Sequence, residues 1–120
     1  MNALKRLLFL GMILALASVT ALAQDAKREA ELRTVHGVVV DKSDNLVSES
    51  VVFLKNTRTN VVRSSYTDNT GKYRFSGLDP NADYEIHAEK AGNKSSTHTV
   101  SSFDSRKDIT LVLKIDKKKD

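Results

Sequence analysis

The chain of 120 residues contains no cysteine and no tryptophan, and it has a single proline, Pro80. Without cysteine it can form no disulfide, offer no thiol nucleophile and build no cysteine-based zinc site. A lipid-modified cysteine is not expected either. The stability of the fold must therefore come from a packed core, which a chain of this size supplies only modestly.

The charge balance is also modest. The chain carries 19 basic and 15 acidic residues. Lys5 and Arg6 are the only charged residues before Asp25, so the remainder has 17 basic and 15 acidic residues, a net charge of +2. Much of this charge comes from the three lysines at positions 117–119. A nucleic-acid-binding domain is usually far more basic, so no nucleic-acid partner is expected.

The first 23 residues have the organisation of a secretory signal peptide. Lys5 and Arg6 form the positive n-region, Leu7–Ala17 is a short apolar run, and Ala21–Ala23 offers small residues for cleavage before Gln24. The apolar run is shorter than the ~20 residues that span a bilayer, so an uncleaved membrane anchor is the weaker alternative. We expect cleavage after Ala23, export to the periplasm or beyond the cell, and no membrane span afterwards.

Residues 24–33 are expected to form a linker, residues 34–115 a single domain, and residues 116–120 a basic tail. The domain shows the two-residue period of strands, with turn signals every 8–12 residues. The predicted fold is all-β, a seven-stranded antiparallel Greek-key β-sandwich. The predicted strands cover residues 33–40, 51–54, 61–66, 72–76, 84–88, 95–101 and 109–114.

The inward positions of these strands define the expected core. Lys72 and Arg74 should lie outside, because they alternate with Tyr73 and Phe75. The expected core set is Val35, Val39, Val52, Leu54, Tyr73, Phe75, Leu78, Tyr84, Ile86, Ala88, Leu111 and Leu113.

No residue pattern predicts catalysis or a cofactor. His36, His87 and His98 lack the spacing of zinc ligands, so no metal is expected. The segment from Asp41 to Glu49 places oxygen donors at alternate positions, like the start of a calcium loop, but it lacks the central glycine and the late glutamate. A turn bonded to its own side chains is the favoured interpretation.

The segment Ser95–Ser102 is the candidate partner-binding edge. It has strand propensity and little to bury, so it could accept a strand of a protein partner through Thr97, Thr99 and Ser101. A polar edge that prevents aggregation is the alternative. The second candidate surface is a glycan platform formed by Tyr66 with Arg63, next to Arg58.

Several segments resemble the carboxypeptidase regulatory-like domain. They are Gly37–Asp41, Val51–Leu54 and the pattern that runs from Thr67-Asp68 through Gly71, Tyr73 and Phe75 to Pro80. The resemblance covers residues 35–115. It implies a transthyretin-like (prealbumin-like) sandwich without the zinc-binding peptidase domain to which such modules are appended.

The segment from Leu78 to Tyr84 also resembles the tyrosine corner of fibronectin type III domains, the alternative fold. Fibronectin domains usually carry a core tryptophan, which this chain lacks. The sequence therefore predicts an exported, non-catalytic module for protein binding or a structural role in the cell envelope. A carbohydrate-binding module is the first alternative, and a small metal-dependent enzyme is the second.

Overall fold

The computed structural model describes residues 32–119. The predicted signal peptide, the predicted linker up to residue 31, and Asp120 lie outside the described residues. Residues 32–119 contain no helix that is long and apolar enough to cross a membrane. Their strands are β1 (Arg33–Val40), β2 (Val51–Asn56), β3 (Val62–Tyr66), β4 (Lys72–Leu78), β5 (Tyr84–Lys90), β6 (Asn93–Ser95), β7 (His98–Val100) and β8 (Asp108–Lys118).

The strands form two sheets that share β8. Sheet A has the order β4–β1–β8 and uses residues 108–114 of β8. In sheet B, β3 pairs with β2, β2 with β5, and β5 with both β6 and β7. Residues 115–118 of β8 then pair with β6. One long strand therefore joins the two sheets along one side of the sandwich, which we call the closed side.

The prediction of an all-β sandwich is confirmed, with two differences in detail. The pair β1–β8 is parallel, whereas an antiparallel sandwich was predicted. The loop after β7 carries the chain from sheet B to sheet A, where β8 enters beside β1 in the same direction. The predicted sixth strand is divided into β6 and β7 by Ser96 and Thr97, so there are eight strands.

Strand β8 also extends beyond the predicted domain end. Its residues 116–118 belong to the predicted basic tail, yet Lys117 and Lys118 pair with β6. Lysine side chains are compatible with strand geometry when they face solvent, and both are exposed. The difference arises because the sequence shows charge here and gives no sign of the strand that will lie alongside.

The core contains the predicted side chains. All of the expected inward residues are buried except Leu111, which is partly buried and packs against the cluster. Tyr73 and Phe75 are buried while Lys72 and Arg74 are exposed, as the alternation predicted. Five further apolar residues complete the buried set: Val40, Ala82, Val100, Ile109 and Ile115.

Gly37 permits a close approach in sheet A. It lies between Tyr73 of β4 and Leu111 of β8. A Cβ added to Gly37 would stand only 1.9 Å from the Leu111 carbonyl oxygen. The Tyr73 hydroxyl reaches this same carbonyl and donates a hydrogen bond of 2.8 Å. Because position 37 has no side chain, the Tyr73 hydroxyl of β4 can reach over β1 to the Leu111 carbonyl of β8.

Two tight turns fix the strands around the core. Asp68 accepts hydrogen bonds from the backbone N–H groups of Thr70 and Lys72, both at 2.9 Å, and Gly71 adopts a φ of 71°. In the second turn, the Tyr84 hydroxyl accepts the Asp79 N–H at 2.9 Å. A hydrogen bond between the tyrosine hydroxyl and the nearby upstream backbone is the defining contact of a tyrosine corner.

Candidate functional site

The side of the sandwich opposite the closed side is formed by the edges of β3 and β4, which pair only with β2 and β1 respectively among the described strands. We call it the open side. Arg63 of β3 bridges it: its Nη1 donates to the Ser76 carbonyl oxygen at 3.1 Å, and its guanidinium lies 5.5 Å from the centroid of the Phe75 ring. Arg63 therefore covers the core at the opening.

A shallow concavity of about 700 Å³, the Tyr66 groove, lies on the outer face of sheet A beside the open side. Its floor follows from the strand register. His36 stands between Arg74 and Thr110, and Val38 stands between Lys72 and Val112, so the six side chains form two rows on one face. The lining residues are His36, Gly37, Val38, Ser65, Tyr66, Asp68, Lys72, Tyr73, Arg74, Thr110 and Val112.

The groove combines apolar surface with positive charge. The Tyr66 side chain is 75% exposed at the rim and Val112 is 54% exposed on the floor. Within residues 32–119, neither Lys72 nor Arg74 forms an ion pair. The Asp68 carboxylate is occupied by its own turn, where the Lys72 N–H first and then Thr70 hold its pKa below the usual range. The positive charge of the groove therefore comes from Arg74 and from Lys72, whose ammonium is also attracted to the neighbouring Asp68 carboxylate.

His36 cannot act as the base of a nucleophilic triad in this arrangement. Its Nε2 lies 2.8 Å from Asp108 Oδ1 and 3.2 Å from Thr110 Oγ1. A triad needs the carboxylate on one ring nitrogen and the nucleophile on the other. Because both partners share Nε2, the geometry is that of a surface hydrogen-bond network.

The other two histidines lie in sheet B. His87 stacks on Phe53, with ring centroids 5.2 Å apart, and its Nε2 lies 3.4 Å from Glu89 Oε2. His98 is in β7, opposite Ile86. Residues 32–119 contain no group of three or more His, Cys, Asp or Glu side chains that could hold a metal ion.

The segment compared with a calcium loop forms a side-chain-bonded turn. Asp41 Oδ1 accepts the N–H of Ser43 at 2.9 Å and of Asn45 at 3.0 Å. These hydrogen bonds, the Asn45 N–H first, hold the pKa of the carboxyl below its usual range. Asp44 adopts a φ of 63°, a conformation that aspartate tolerates better than most residues.

The predicted partner-binding residues lie in two separate places. Thr97 and Thr99 are exposed, before and within β7, and Ser101 follows the strand and accepts the Phe103 N–H on its hydroxyl at 3.1 Å. Strand β7 pairs only with β5 among the described strands, so its other side is free. Tyr66 and Arg63 are on β3, at the other edge of sheet B.

The proposed glycan residues also point apart. Arg63 faces the core side of β3, since it stands opposite buried Leu54, whereas Tyr66 stands opposite Val51 on the outer face. Arg58 is exposed in the β2–β3 turn, at the far end of β3 from Tyr66. The structure therefore groups Tyr66 with the residues of sheet A and separates it from the two arginines.

Sequence reasoning missed several residues of the groove. Lys72 and Arg74 were expected outside, but only as solvated charges. The informative signal was Val112, an apolar residue at an outward position of an alternating strand. Phe103, which is 95% exposed in the loop after β7, was also missed, because no period applies to a loop.

The fold and this surface define a small β-sandwich module with a shallow concave face. Comparison with known families then identifies it: the chain belongs to the carboxypeptidase regulatory-like domain family, whose model matches residues 34–114. This confirms the family suggested by the Thr67–Pro80 pattern. It favours the transthyretin-like interpretation over the fibronectin alternative.

Among curated proteins, the chain is similar to the serine-aspartate repeat-containing protein F of Staphylococcus epidermidis, with 34% identity over 70 residues. The match covers 58% of this chain and 4% of that protein, so the chain spans a small part of its relative. Among solved structures, a streptococcal ancillary pilin matches at a TM-score of 0.55 and 17% identity, over 74% of this chain and 33% of that one.

A catechol 1,2-dioxygenase from Acinetobacter sp. ADP1 is also similar in structure. The TM-score is 0.55 and the identity 12%, over 72% of this chain and 53% of the enzyme. At this level of identity the likeness concerns the fold alone, and the fold does not determine the chemistry.

Proposed function

We propose that this chain is an exported, non-catalytic module that binds a protein partner in the cell envelope through the Tyr66 groove. The observation that carries the proposal is the groove itself, which places an exposed tyrosine and an exposed valine beside two cations that have no ion-pair partner among residues 32–119. The similarity to parts of a repeat-containing protein and a pilin supports a role as a module of larger assemblies.

The spacing of the cations suggests the form of the ligand. Lys72 and Arg74 are two residues apart on one face of β4, which separates them by about 7 Å. Carboxylates at alternate residues of an extended peptide have this same repeat. An acidic, extended segment therefore matches the groove in charge and in spacing.

A binding measurement tests this proposal. The probe is a peptide with Asp at every second residue, and its control has Asn at the same positions. Replacing both Lys72 and Arg74 by Gln should weaken binding of the Asp peptide about tenfold. Added salt should also weaken binding of this peptide, because it screens the charges. Equal binding of the Asp and Asn peptides would contradict the proposal.

A carbohydrate ligand is the second candidate, supported by the exposed Tyr66 ring, since sugars stack on aromatic faces. A glycan array run with the parent and with Tyr66→Ala separates the two. Loss of glycan binding in that variant, with the Asp peptide left unbound by the parent, would favour the carbohydrate function.

Strand addition at β7 through Thr97, Thr99 and Ser101 stays a prediction, supported by the free side of that strand. Proline at Thr97 and at Thr99 should abolish a strand-added complex, because each removes a backbone donor. A complex that survives both prolines places the contact elsewhere.

We also propose that residues 1–23 act as a cleaved signal peptide and that the module is exported to the periplasm or beyond the cell. Mass spectrometry of the exported chain should give an N-terminus at Gln24. A chain that still begins at Met1 in a membrane fraction would overturn this part of the proposal.

A further inference from the structure

Strand β3 has an unusually accessible edge. All of its residues but Ser65 are exposed, and Val62 and Tyr66 are 55% and 75% exposed. Edge strands are normally protected by charges, short length or a break in the backbone. Strand β7 has three residues, and β4 carries Lys72, Arg74 and a glycine with φ of 71° at Gly77. Strand β3 has five residues in unbroken register.

The direction of the free backbone groups follows from the pairing with β2. Thr67 donates its N–H to the Ser50 carbonyl at 2.9 Å, and Asn56 donates to the Val61 carbonyl at 3.0 Å. Bonded and non-bonded pairs alternate along an antiparallel ladder. The N–H and C=O groups of Val62, Ser64 and Tyr66 therefore point away from β2.

These outward groups have almost no partners among residues 32–119. The Tyr66 carbonyl accepts only a long contact of 3.4 Å from the neighbouring Ser65 hydroxyl. Strand β4 lies nearest on that side, and its contact with β3 is made by the Arg63 side chain. The edge is thus a row of three donors and three acceptors in strand geometry.

We propose that the edge of β3 pairs with the β3 edge of a second copy of this chain, in an antiparallel two-fold dimer centred on Ser64. In this register Ser64 faces Ser64 of the second copy, and Val62 faces its Tyr66. Three residue pairs then exchange two hydrogen bonds each, which uses every outward group of β3. A two-fold interface requires this kind of self-complementarity.

The side chains fit the same register. Val62, Ser64 and Tyr66 share the outer face of sheet B, because they stand opposite Lys55, Phe53 and Val51 of β2. In the dimer each exposed Tyr66 stands opposite the exposed Val62 of the second copy, so an aromatic and an aliphatic side chain meet at both ends of the shared ladder. On the other face Arg63 stands opposite Ser65, so no like charges oppose each other across the interface.

The dimer is tested by sedimentation velocity of the purified protein over a concentration series. We expect twice the monomer mass at high concentration and dissociation on dilution. In Ser64→Pro the fold should persist, since this N–H has no partner among residues 32–119. Because the substitution acts in both copies, it removes both central hydrogen bonds and should raise the dissociation constant about tenfold or more.

Val62→Lys is the second variant, and it carries the test if Ser64→Pro does not fold. It removes the apolar side chain that faces Tyr66 of the second copy and puts a hydrated lysine on the edge, which opposes strand pairing, so the dimer should also weaken. Phe103→Lys adds the same charge at an exposed apolar residue in the loop after β7, and Thr97→Pro adds a proline beside β7. Both controls should leave the dimer unchanged.

Three results would overturn the proposal. They are a monomer at every concentration, a dimer unaffected by Ser64→Pro and Val62→Lys, and a dimer that Thr97→Pro weakens as much as Ser64→Pro does. Lys72 and Arg74 lie on β4, so replacing them leaves the β3 edge intact. The peptide-binding function can therefore fail while the dimer persists, and the reverse also holds.

Discussion

The two sides of the sandwich are held together by different means. On the closed side, one strand pairs with β1 through residues 108–114 and with β6 through residues 115–118. On the open side no hydrogen-bond ladder joins β3 and β4 among the described residues, and Arg63 bridges them through the Ser76 carbonyl and the Phe75 ring. The closed side depends on backbone contacts and the open side on side chains.

This difference places the unpaired backbone groups and the exposed apolar side chains on the open side. On the closed side, where the ladder is continuous, the backbone N–H and C=O groups form hydrogen bonds with neighbouring strands of the same molecule. Where it stops, β3 has free groups, Tyr66 and Val62 are exposed, and the Tyr66 groove begins. The two sheets are therefore held together by a backbone ladder on one side and by the packing of Phe75 and Arg63 on the other.

The largest expected effect comes from removing the side chain that fills the open side. Phe75 is 2% exposed, and Phe75→Ala should lower the free energy of unfolding by about 3–5 kcal/mol, because it leaves a cavity beneath Arg63. Denaturant unfolding measures the loss. Phe53→Ala on the outer face is the matched control and should cost about 1 kcal/mol. Equal losses would show that Phe75 does not hold the core.

Gly37→Ala tests the closed side. The new Cβ would meet the Leu111 carbonyl oxygen at 1.9 Å, and that oxygen cannot move without separating β8 from β1. We expect a loss of about 3 kcal/mol, at the upper end for overpacking. Gly77→Ala adds a Cβ in open space at a φ of 71° and should cost about 1 kcal/mol. A Gly37→Ala variant as stable as the parent would contradict the close approach of β1 and β8.

Tyr73→Phe removes the bond that ties β4 to β8. Loss of the 2.8 Å hydrogen bond to the Leu111 carbonyl should cost about 1 kcal/mol at neutral pH. Burial raises the pKa of Tyr73. Its stabilising effect is therefore complete below pH ~10, the usual tyrosine value, and is lost as the pH rises from there toward the pKa of the folded state.

The stability of the two proteins above pH ~10 tests whether the contribution of Tyr73 is lost as the pH rises. The parent should lose stability above pH ~10 more steeply than Tyr73→Phe, which has no phenol at this position to ionise on unfolding. Parallel alkaline limbs for the two proteins would show that the Tyr73 hydroxyl is not buried.

The smallest effect concerns the turn at the open side. The Lys72 N–H and Thr70 hold the pKa of Asp68 below its usual value of 3.8. Its carboxylate stabilises the fold above that value, and this contribution is lost as the pH falls through the pKa of the folded state. Asp68→Asn should therefore be less stable than the parent at neutral pH, and the gap should shrink in acid. If the stability difference between the two proteins does not change with pH, the effect comes from the altered shape of the side chain and not from its charge.

Much of the fold could be predicted because alternation and turn chemistry are local. The pattern around Tyr73 and Phe75 correctly gave their burial, and the aspartate and glycine of the Asp68–Gly71 turn occupy the positions that the turn chemistry requires. The parallel β1–β8 pair and the extension of β8 through Lys118 were missed, because both depend on a strand far away in the chain.

The candidate site was harder to predict for the same reason. The sequence indicated that Tyr66 is an exposed aromatic residue available for a ligand. Its grouping with His36, Lys72 and Val112 requires the register of three strands. Arg63 was assigned to a ligand surface, and only the tertiary structure shows that its guanidinium covers Phe75. Residues that act across sheets leave no periodic signal in a single sequence.

Residue-resolved amide hydrogen exchange tests the contrast between the two sides most directly. In dilute solution the amides of Val62, Ser64 and Tyr66 should exchange rapidly, those of Arg63, Ser65 and Thr67 slowly, and those of β1 and β8 at their shared ladder most slowly. At high concentration the three rapid amides should become protected as the dimer forms. Uniform protection along β3 at dilution, or earlier exchange of the β1–β8 ladder than of β3, would contradict the account.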